Sequence, residues 1–359
     1  VQEKVFRQLI INPGSASTKF AVYENESCLF ESKIDHPATD LQRFQRVADQ
    51  QGYRLGLILD ALAERGLAPD SLAAVVGRGG LLQPMESGVY LVNEKMKQDL
   101  IGAPREEHAA NLGALLADEI ASRAGIPAFI VDPVCTDEMD EVARISGLPE
   151  LERFSLCHTL NMKAVARKVA AGLGRRLEDC NFVVAHLGSG ITVSPFKKGR
   201  IVDCNSAIQD GPFSPVRCGG LPAMQLMRMC YSGSYSFQEM YDKLMKRGGM
   251  QAYLGTSDVQ EAEKRVAEGD GRALLVLEAM AYQIAKEIGA MAAVLSGEVD
   301  RVIITGGIAY SQFITGRVIA RVRFIAPVEL APGEEELQSL ALGGLRVLRG
   351  EEQPKTYLG

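Results

Sequence analysis

Two short segments of the chain repeat each other at a fixed spacing, and each closes a hydrophobic run with a glycine turn. The first is Leu9-Ile10-Ile11-Asn12-Pro13-Gly14-Ser15-Ala16-Ser17-Thr18-Lys19, the second Val183-Val184-Ala185-His186-Leu187-Gly188-Ser189-Gly190-Ile191-Thr192. An offset of 174 residues lays Gly14-Ser15 on Gly188-Ser189 and Glu26-Ser27-Cys28-Leu29-Phe30 on Arg200-Ile201-Val202-Asp203-Cys204. Each half therefore opens as strand, glycine turn, strand, polar turn, strand. A duplicated fold with a phosphate-suited turn in each half points to one nucleotide held between two domains.

The length of 359 residues fits two domains, at roughly 150 residues each. An apolar fraction of 47% is enough for two buried cores. A net charge of −6 argues against a nucleic-acid partner. Seven widely spaced cysteines with no C-x-x-C read as reduced thiols of a cytoplasmic protein. No signal-peptide pattern precedes the first strand. The longest apolar stretch, Ala273 to Leu295, is broken by Glu278, Lys286 and Glu287, so it reads as a buried amphipathic helix and no membrane partner is expected.

Three hairpin strands are expected over 5–35 and a helix over 40–66, then a strand at 72–76 ending in Gly77-Arg78-Gly79-Gly80. Helices follow at 94–101 and 108–124, a strand at 128–131 ends at Asp132-Pro133, and a helix covers 155–172. The second half repeats the order, with strands across 181–208, helices at 221–230, 236–246, 258–269 and 271–296, a strand at 302–304, and a closing helix at 334–348. This pattern gives mixed sheets covered by helices. The stretch Gly147-Leu148-Pro149 is the best hinge candidate, dividing a domain of residues 1–152 from one of residues 153–335, with 336–359 packing back on the first.

Asn12-x-Gly14-Ser15-x-Ser17-x-Lys19 is the sharpest local signal. Backbone amides of a tight glycine turn face a phosphate, hydroxyls add donors and Lys19 adds charge. It is not a Walker A loop, because the turn runs into another strand rather than a helix. Read alone it is an ordinary Gly/Ser hairpin; His186-Leu187-Gly188-Ser189-Gly190 gives it a counterpart. Thr305-Gly306-Gly307 ends an apolar strand, where paired glycines let a flat ligand lie on backbone. Arg78 stands between Gly77 and Gly79, and Arg217 lies in the Pro-rich loop 210–220; planar guanidinium groups suit the charge spread over a phosphoryl group in transfer. Asp132 is a strand-end carboxylate. Mg²⁺ needs only one or two protein oxygens, and Asn12 and Glu335 are the candidates. The histidines, 36, 108, 158 and 186, match no zinc spacing.

Taken together, these residues resemble the acetate and butyrate kinases of the actin, hexokinase and Hsp70 superfamily. The resemblance rests on Asn12-Pro13-Gly14-Ser15-x-Ser17-Thr18-Lys19, Val76-Gly77-Arg78-Gly79-Gly80, Pro104-x-x-x-His108-x-x-Asn111-Leu112, Asp132, Arg153-Phe154-x-x-x-His158, His186-Leu187-Gly188-x-Gly190, Arg217, Ile304-Thr305-Gly306-Gly307-Ile308 and Glu335-Glu336-Leu337. It implies a duplicated actin-like ATPase fold of the ribonuclease H-like kind. The butyrate branch fits through Asp210-Gly211-Pro212-Phe213-Ser214-Pro215 and Gly79-Gly80-Leu81-Leu82-Gln83-Pro84. Departures from the family pattern fall at Ala16, Val216, Cys218 and Gly220.

The resemblance implies reversible transfer of the ATP γ-phosphoryl group to a short-chain carboxylate, giving an acyl phosphate and ADP. Butyrate is the favoured acid; acetate, propionate and isobutyrate are the alternatives. A polyphosphate phosphatase and a non-metabolic actin-like ATPase are more distant ones. Arg78, Arg217 and His158 are expected to stabilise the phosphoryl group in flight, Asp132 to orient metal or water, and Asn12 and Glu335 to support Mg²⁺. Ser15, Ser17, Lys19 and the turn His186, Gly188, Ser189, Gly190 hold phosphates, and Gly306-Gly307 lies under adenosine. His108, Pro212 and Phe213 are expected to shape the acid pocket. Domain closure is expected to exclude water, and subunits to pair as a homodimer or larger homo-oligomer.

Overall fold

The computed structural model describes residues 4–103, 107–206 and 208–359. The chain begins with β1 (Arg7–Pro13), β2 (Ser17–Glu24), β3 (Ser27–Asp35), α1 (Ala38–Leu41), α2 (Gln51–Ala63), β4 (Ala74–Arg78), β5 (Val89–Leu91), α3 (Glu94–Gly102), α4 (Asn111–Ala124) and β6 (Ala128–Val131). It continues with α5 (Glu141–Arg144), α6 (Thr159–Gly172), β7 (Asn181–Leu187), β8 (Ile191–Lys197), β9 (Arg200–Ile201), α7 (Ala223–Cys230), α8 (Phe237–Met245), α9 (Gly249–Leu254), α10 (Val259–Ala267) and α11 (Gly271–Val294). The last elements are β10 (Arg301–Gly306), α12 (Gln312–Val322), β11 (Val328–Pro332), α13 (Glu336–Leu348) and β12 (Lys355–Thr356).

Two compact units divide the chain: Val1–Thr136 with Glu335–Gly359, and Asp137–Glu334. The first holds a mixed sheet in the order β12-β5-β6-β4-β1-β2-β3, the second a sheet in the order β11-β10-β7-β8-β9. Adding 174 to the bounds of β1 gives those of β7. In both units this opening strand pairs antiparallel with its hairpin partner and parallel with a later strand, β4 or β10. The first division falls before the Gly147-Leu148-Pro149 stretch. Residues just after Thr136 pack in the second unit: the Asp140 amide donates to the Val202 carbonyl, and buried Glu138 pairs with Lys163 at 2.9 Å.

The central strands β1 and β7 are buried on both faces, as a parallel pair under helices requires. Leu9, Ile11, Val75 and Ile130 anchor the first core with Leu112 and Leu116 of α4. In the second, α11 presents Val276, Leu277, Met280, Ile284 and Ile288 at helical spacing. Asp270 caps this helix by accepting the Arg272 and Ala273 amides at 2.9 and 3.0 Å. Full burial of each such aliphatic side chain contributes about 1.5–3 kcal/mol. Among the described residues no helix is long and apolar enough to cross a membrane.

Three local readings change. The helix expected over 40–66 is split, because the Asp49 carboxylate accepts the Arg46 amide at 3.0 Å and Glu107 accepts the Val47 amide. The strands expected through 208 stop at Ile201, where the Asn205 side chain takes over the β8 edge by bonding the Val193 amide and the Ile191 carbonyl. Elements α5, α9, α12 and β11, and the short strands β5 and β12, went unread.

Two tight contacts hold the first unit together. Gly77 on β4 and Gly113 on α4 press backbone to backbone: a Cβ on Gly113 would sit 2.2 Å from the Arg78 carbonyl oxygen. A buried polar knot lies beneath the β1–β2 turn. Arg54, 1% exposed, meets Thr18 Oγ1 at 3.1 Å, and Thr18 Oγ1 meets His36 Nε2 at 2.8 Å. The Thr18 hydroxyl thus accepts from Arg54 and shares a hydrogen bond with His36 Nε2.

Gly113→Ala should destabilise the protein by about 1–3 kcal/mol in urea unfolding. Gly289→Ala, at an open position of α11, should instead stabilise it by about 0.5–1 kcal/mol. Burial, aided by the Arg54 charge, pushes His36 down from 6.5 to about 4. Its folded-state value lies below its unfolded one, so its contribution is complete above pH 6.5 and is lost as pH falls towards 4. The loss should reach about 3 kcal/mol, and urea titrations of His36→Gln should show a flatter pH dependence across that window.

Candidate active site

In the first unit the ends of β1, β4 and β6 lie side by side: Ile11 pairs with Gly77 and Arg78 with Val131. Asn12, Arg78 and Asp132 therefore emerge at the carboxyl ends of neighbouring strands, where open α/β sheets bind ligands. The hairpin register sets Lys19 opposite Asn12. Gly14 closes the turn by donating to the Ser17 carbonyl at 2.7 Å, leaving Ser15 and Lys19 exposed. Asn12 donates to Glu336 Oε2 at 2.7 Å and accepts from Arg78 at 3.2 Å. Arg78 also pairs with Glu336 Oε1 at 2.5 Å.

The acidic side chain brought to Asn12 and Arg78 is thus Glu336, whereas the sequence singled out Glu335. Glu335 caps α13, accepts Ser339 on its carbonyl and is exposed. One step along a helix turns a side chain by about 100°, so only one of the two faces the strand ends.

Asp132 is buried and held at φ 39°, a left-handed conformation unusual outside glycine. Its Oδ1 accepts the Gly88 amide at 2.8 Å, and its own amide donates to the Gly88 carbonyl at 3.0 Å. His108 is exposed, with Nδ1 accepting the Ala110 amide. Pro104, in the same motif, lies outside the described residues.

In the second unit His158, at the start of α6, stacks on His186 of β7, ring centroids 3.9 Å apart and planes 11° apart. His158 Nδ1 meets Thr192 Oγ1 at 2.9 Å, and His186 Nδ1 meets Asn161 Oδ1 at 2.9 Å. Asn161 Oδ1 also accepts Thr305 Oγ1 at 3.3 Å, so it serves as the acceptor and His186 carries its proton on Nδ1. His186 Nε2 lies 3.0 Å from Glu334 Oε1 without hydrogen-bond alignment. Asn161 and Glu334 were missed from sequence; the position of Asn161, three residues beyond His158 in the first turn of a helix, was the available signal.

Gly188 donates to the Gly190 carbonyl at 3.1 Å, and the Ser189 carbonyl accepts from Ser214 Oγ at 2.5 Å. Gly306 has φ 89°, and a Cβ there would stand 2.4 Å from the Leu187 carbonyl oxygen, so only glycine fits. These turns share one cavity of about 840 Å³, lined by Gly188, Ser189, Gly307, Ile308, Tyr310 and Glu334. That volume suits a small-molecule ligand.

Arg217 is largely buried, which pushes its guanidinium below the usual range. Its amide donates to Ser214 Oγ and its carbonyl accepts the Ser214 amide. Pro212 and Phe213 are buried in the same loop; the Phe213 amide donates to Gln283 at 3.1 Å. Phe213 lines a second cavity of about 600 Å³ with Leu226, Met229, Met240 and Val276, whose walls include none of Arg78, Asp132, His158 or Arg217. No cluster of three or more His, Cys, Asp or Glu side chains gathers among the described residues.

A family model described as the Acetokinase family matches residues 152–337. Butyrate kinase 1 of Clostridium acetobutylicum is 47% identical over 354 residues, covering 98% of this chain and 100% of that one. The crystal structure of Porphyromonas gingivalis acetate kinase matches 96% of this chain and all of its own with a TM-score of 0.79 at 18% identity. A propionate kinase structure from Francisella tularensis subsp. tularensis SCHU S4 matches 94% of this chain and 98% of its own with a TM-score of 0.70 at 18% identity. At that identity the two structures speak to the fold, which is the actin-like ATPase fold. Sequence likeness across nearly the whole length carries the rest: the chain belongs to the acetokinase family.

Proposed function

We infer that this protein transfers the γ-phosphoryl group of ATP to a short-chain carboxylate, with butyrate the favoured acid, in a reversible reaction. The observation that carries the acid is the 47% identity to a butyrate kinase along 98% of the chain. The chemistry is supported by the residues gathered at the strand ends.

A carboxylate is already ionised near neutral pH, so no strong general base is needed. Its oxygen attacks the γ-phosphorus while the bond to the β–γ bridging oxygen breaks, and ADP leaves with that electron pair. Catalysis then rests on positioning and neutralisation of charge. Arg78, Arg217 and His158 act on the phosphoryl group in flight. Asp132, fixed by Gly88, orients the groups around it. Ser15, Ser17, Lys19, His186 and the Gly188–Gly190 turn hold phosphates, and the Gly306-Gly307 backbone underlies adenosine in the 840 Å³ cavity.

Asn12 and the Glu335-Glu336 carboxylates are hard oxygen donors of the kind Mg²⁺ takes, and one or two suffice beside its waters. When bound, the ion would neutralise charge on the nucleotide phosphates. The chain also assembles as a homodimer or larger homo-oligomer: helices α7 and α8 and their connection leave Met224, Met227, Tyr231 and Phe237 exposed, surface suited to a second copy.

Acyl phosphate trapped with hydroxylamine across C2 to C5 acids should peak at C4; a peak at acetate overturns the butyrate assignment. Arg78→Ala and Arg217→Ala should each lower kcat by about 10²–10³-fold while thermal unfolding stays cooperative.

A further inference from the structure

Arg54 lies on α2, outside every motif that the reaction absorbs, yet it is 1% exposed and fully engaged. Its Nε and Nη2 donate to Gln50 Oε1 at 3.1 and 2.7 Å. Its remaining donors go to the β1–β2 turn: Gly14 O at 2.8 Å, Ser17 O at 3.2 Å, Thr18 Oγ1 at 3.1 Å and Ser15 O at 3.3 Å. No carboxylate among the described residues contacts it. A dehydrated guanidinium without a counter-ion is costly, and such groups in proteins are normally paired.

The geometry has a direct consequence for the turn. In a planar trans peptide the carbonyl and the following amide point in opposite directions. Drawing the Gly14 and Ser15 carbonyls inward onto Arg54 turns the Ser15 and Ala16 amides outward. Neither amide donates to another described residue, and both residues are exposed. His36, beyond Thr18, is kept uncharged by burial and by Arg54 itself, so no second cation shares the knot. The corresponding turn of the second unit is backed differently: Ser214, a neutral hydroxyl, holds the Ser189 carbonyl.

We propose that Arg54 is a positioning residue for the phosphates of the nucleotide: it aims the turn amides outward and supplies the positive charge that an anion at the turn completes. The proposal rests on the reading of the β1–β2 turn as a phosphate turn. The test compares full-length Arg54→Met, Arg54→Lys and Lys19→Met, titrated with Mg·ATP, Mg·ADP and adenosine, with butyrate KM and thermal unfolding measured alongside. Arg54→Met should weaken ATP and ADP at least tenfold, leaving adenosine affinity and butyrate KM within twofold. Arg54→Lys, which keeps the charge but not the fork, should fall between. Equal losses of adenosine and ATP affinity would mean a merely structural role and overturn the proposal. So would unchanged ATP affinity in Arg54→Met when Lys19→Met binds ATP weakly. Unchanged affinity in both variants would instead sink the phosphate-turn reading. Should Arg54→Met fail to fold, Arg54→Lys reads the same ATP-to-adenosine ratio, and a ratio unchanged from that of the unaltered chain overturns the proposal.

Discussion

The parallel pairing of each opening strand with a later one governs the rest of the structure. In the first unit it seats β4 beside β1, and in the second β10 beside β7. Parallel strands end at the same edge, so polar side chains far apart in sequence converge there: Asn12 with Arg78, and His186 with Thr305. Side chains alternate along a strand, and a slip of one residue would turn each of these groups to the opposite face. The register is protected by burial on both faces of β1 and β7 and by the backbone contact of Gly77 with Gly113. That contact leaves no room for a side chain immediately before Arg78, so packing and site geometry rest on the same few atoms.

Duplication supplied two turns, and their supports have diverged. The first is backed by a buried guanidinium and carries Asn12, Ser15, Ser17 and Lys19. The second is backed by the Ser214 hydroxyl and belongs to a cavity with Gly307 and Ile308. The same backbone shape thus has a buried guanidinium behind it in one unit and a neutral hydroxyl in the other.

Polar groups that look isolated along the chain are tied together once folded. His158 and His186 stack, and Asn161 and Thr192 fix their ring nitrogens. Glu336 accepts from both Asn12 and Arg78. Asp132 is held in a strained conformation by a two-way bond with Gly88, so its carboxylate is oriented before any ligand arrives.

Much of this was legible along the chain, because the decisive signals are local. The repeat at 174 residues, the apolar runs ending in glycine turns and the spacing in α11 each follow from backbone geometry over a few residues. They determined the duplicated mixed α/β fold and most of the strand-end residues. Choices that depend on distant partners were settled only by tertiary structure. Strands as short as β5 and β12 have no periodicity to read, and the chain past Ile201 leaves the sheet because Asn205 completes the β8 edge instead. Glu335 and Glu336 are chemically identical neighbours, distinguished only by the rotation of α13 against the strand ends. Arg54 reads as one more charge on an amphipathic helix until burial strips its water and leaves the turn carbonyls and Gln50 as its partners.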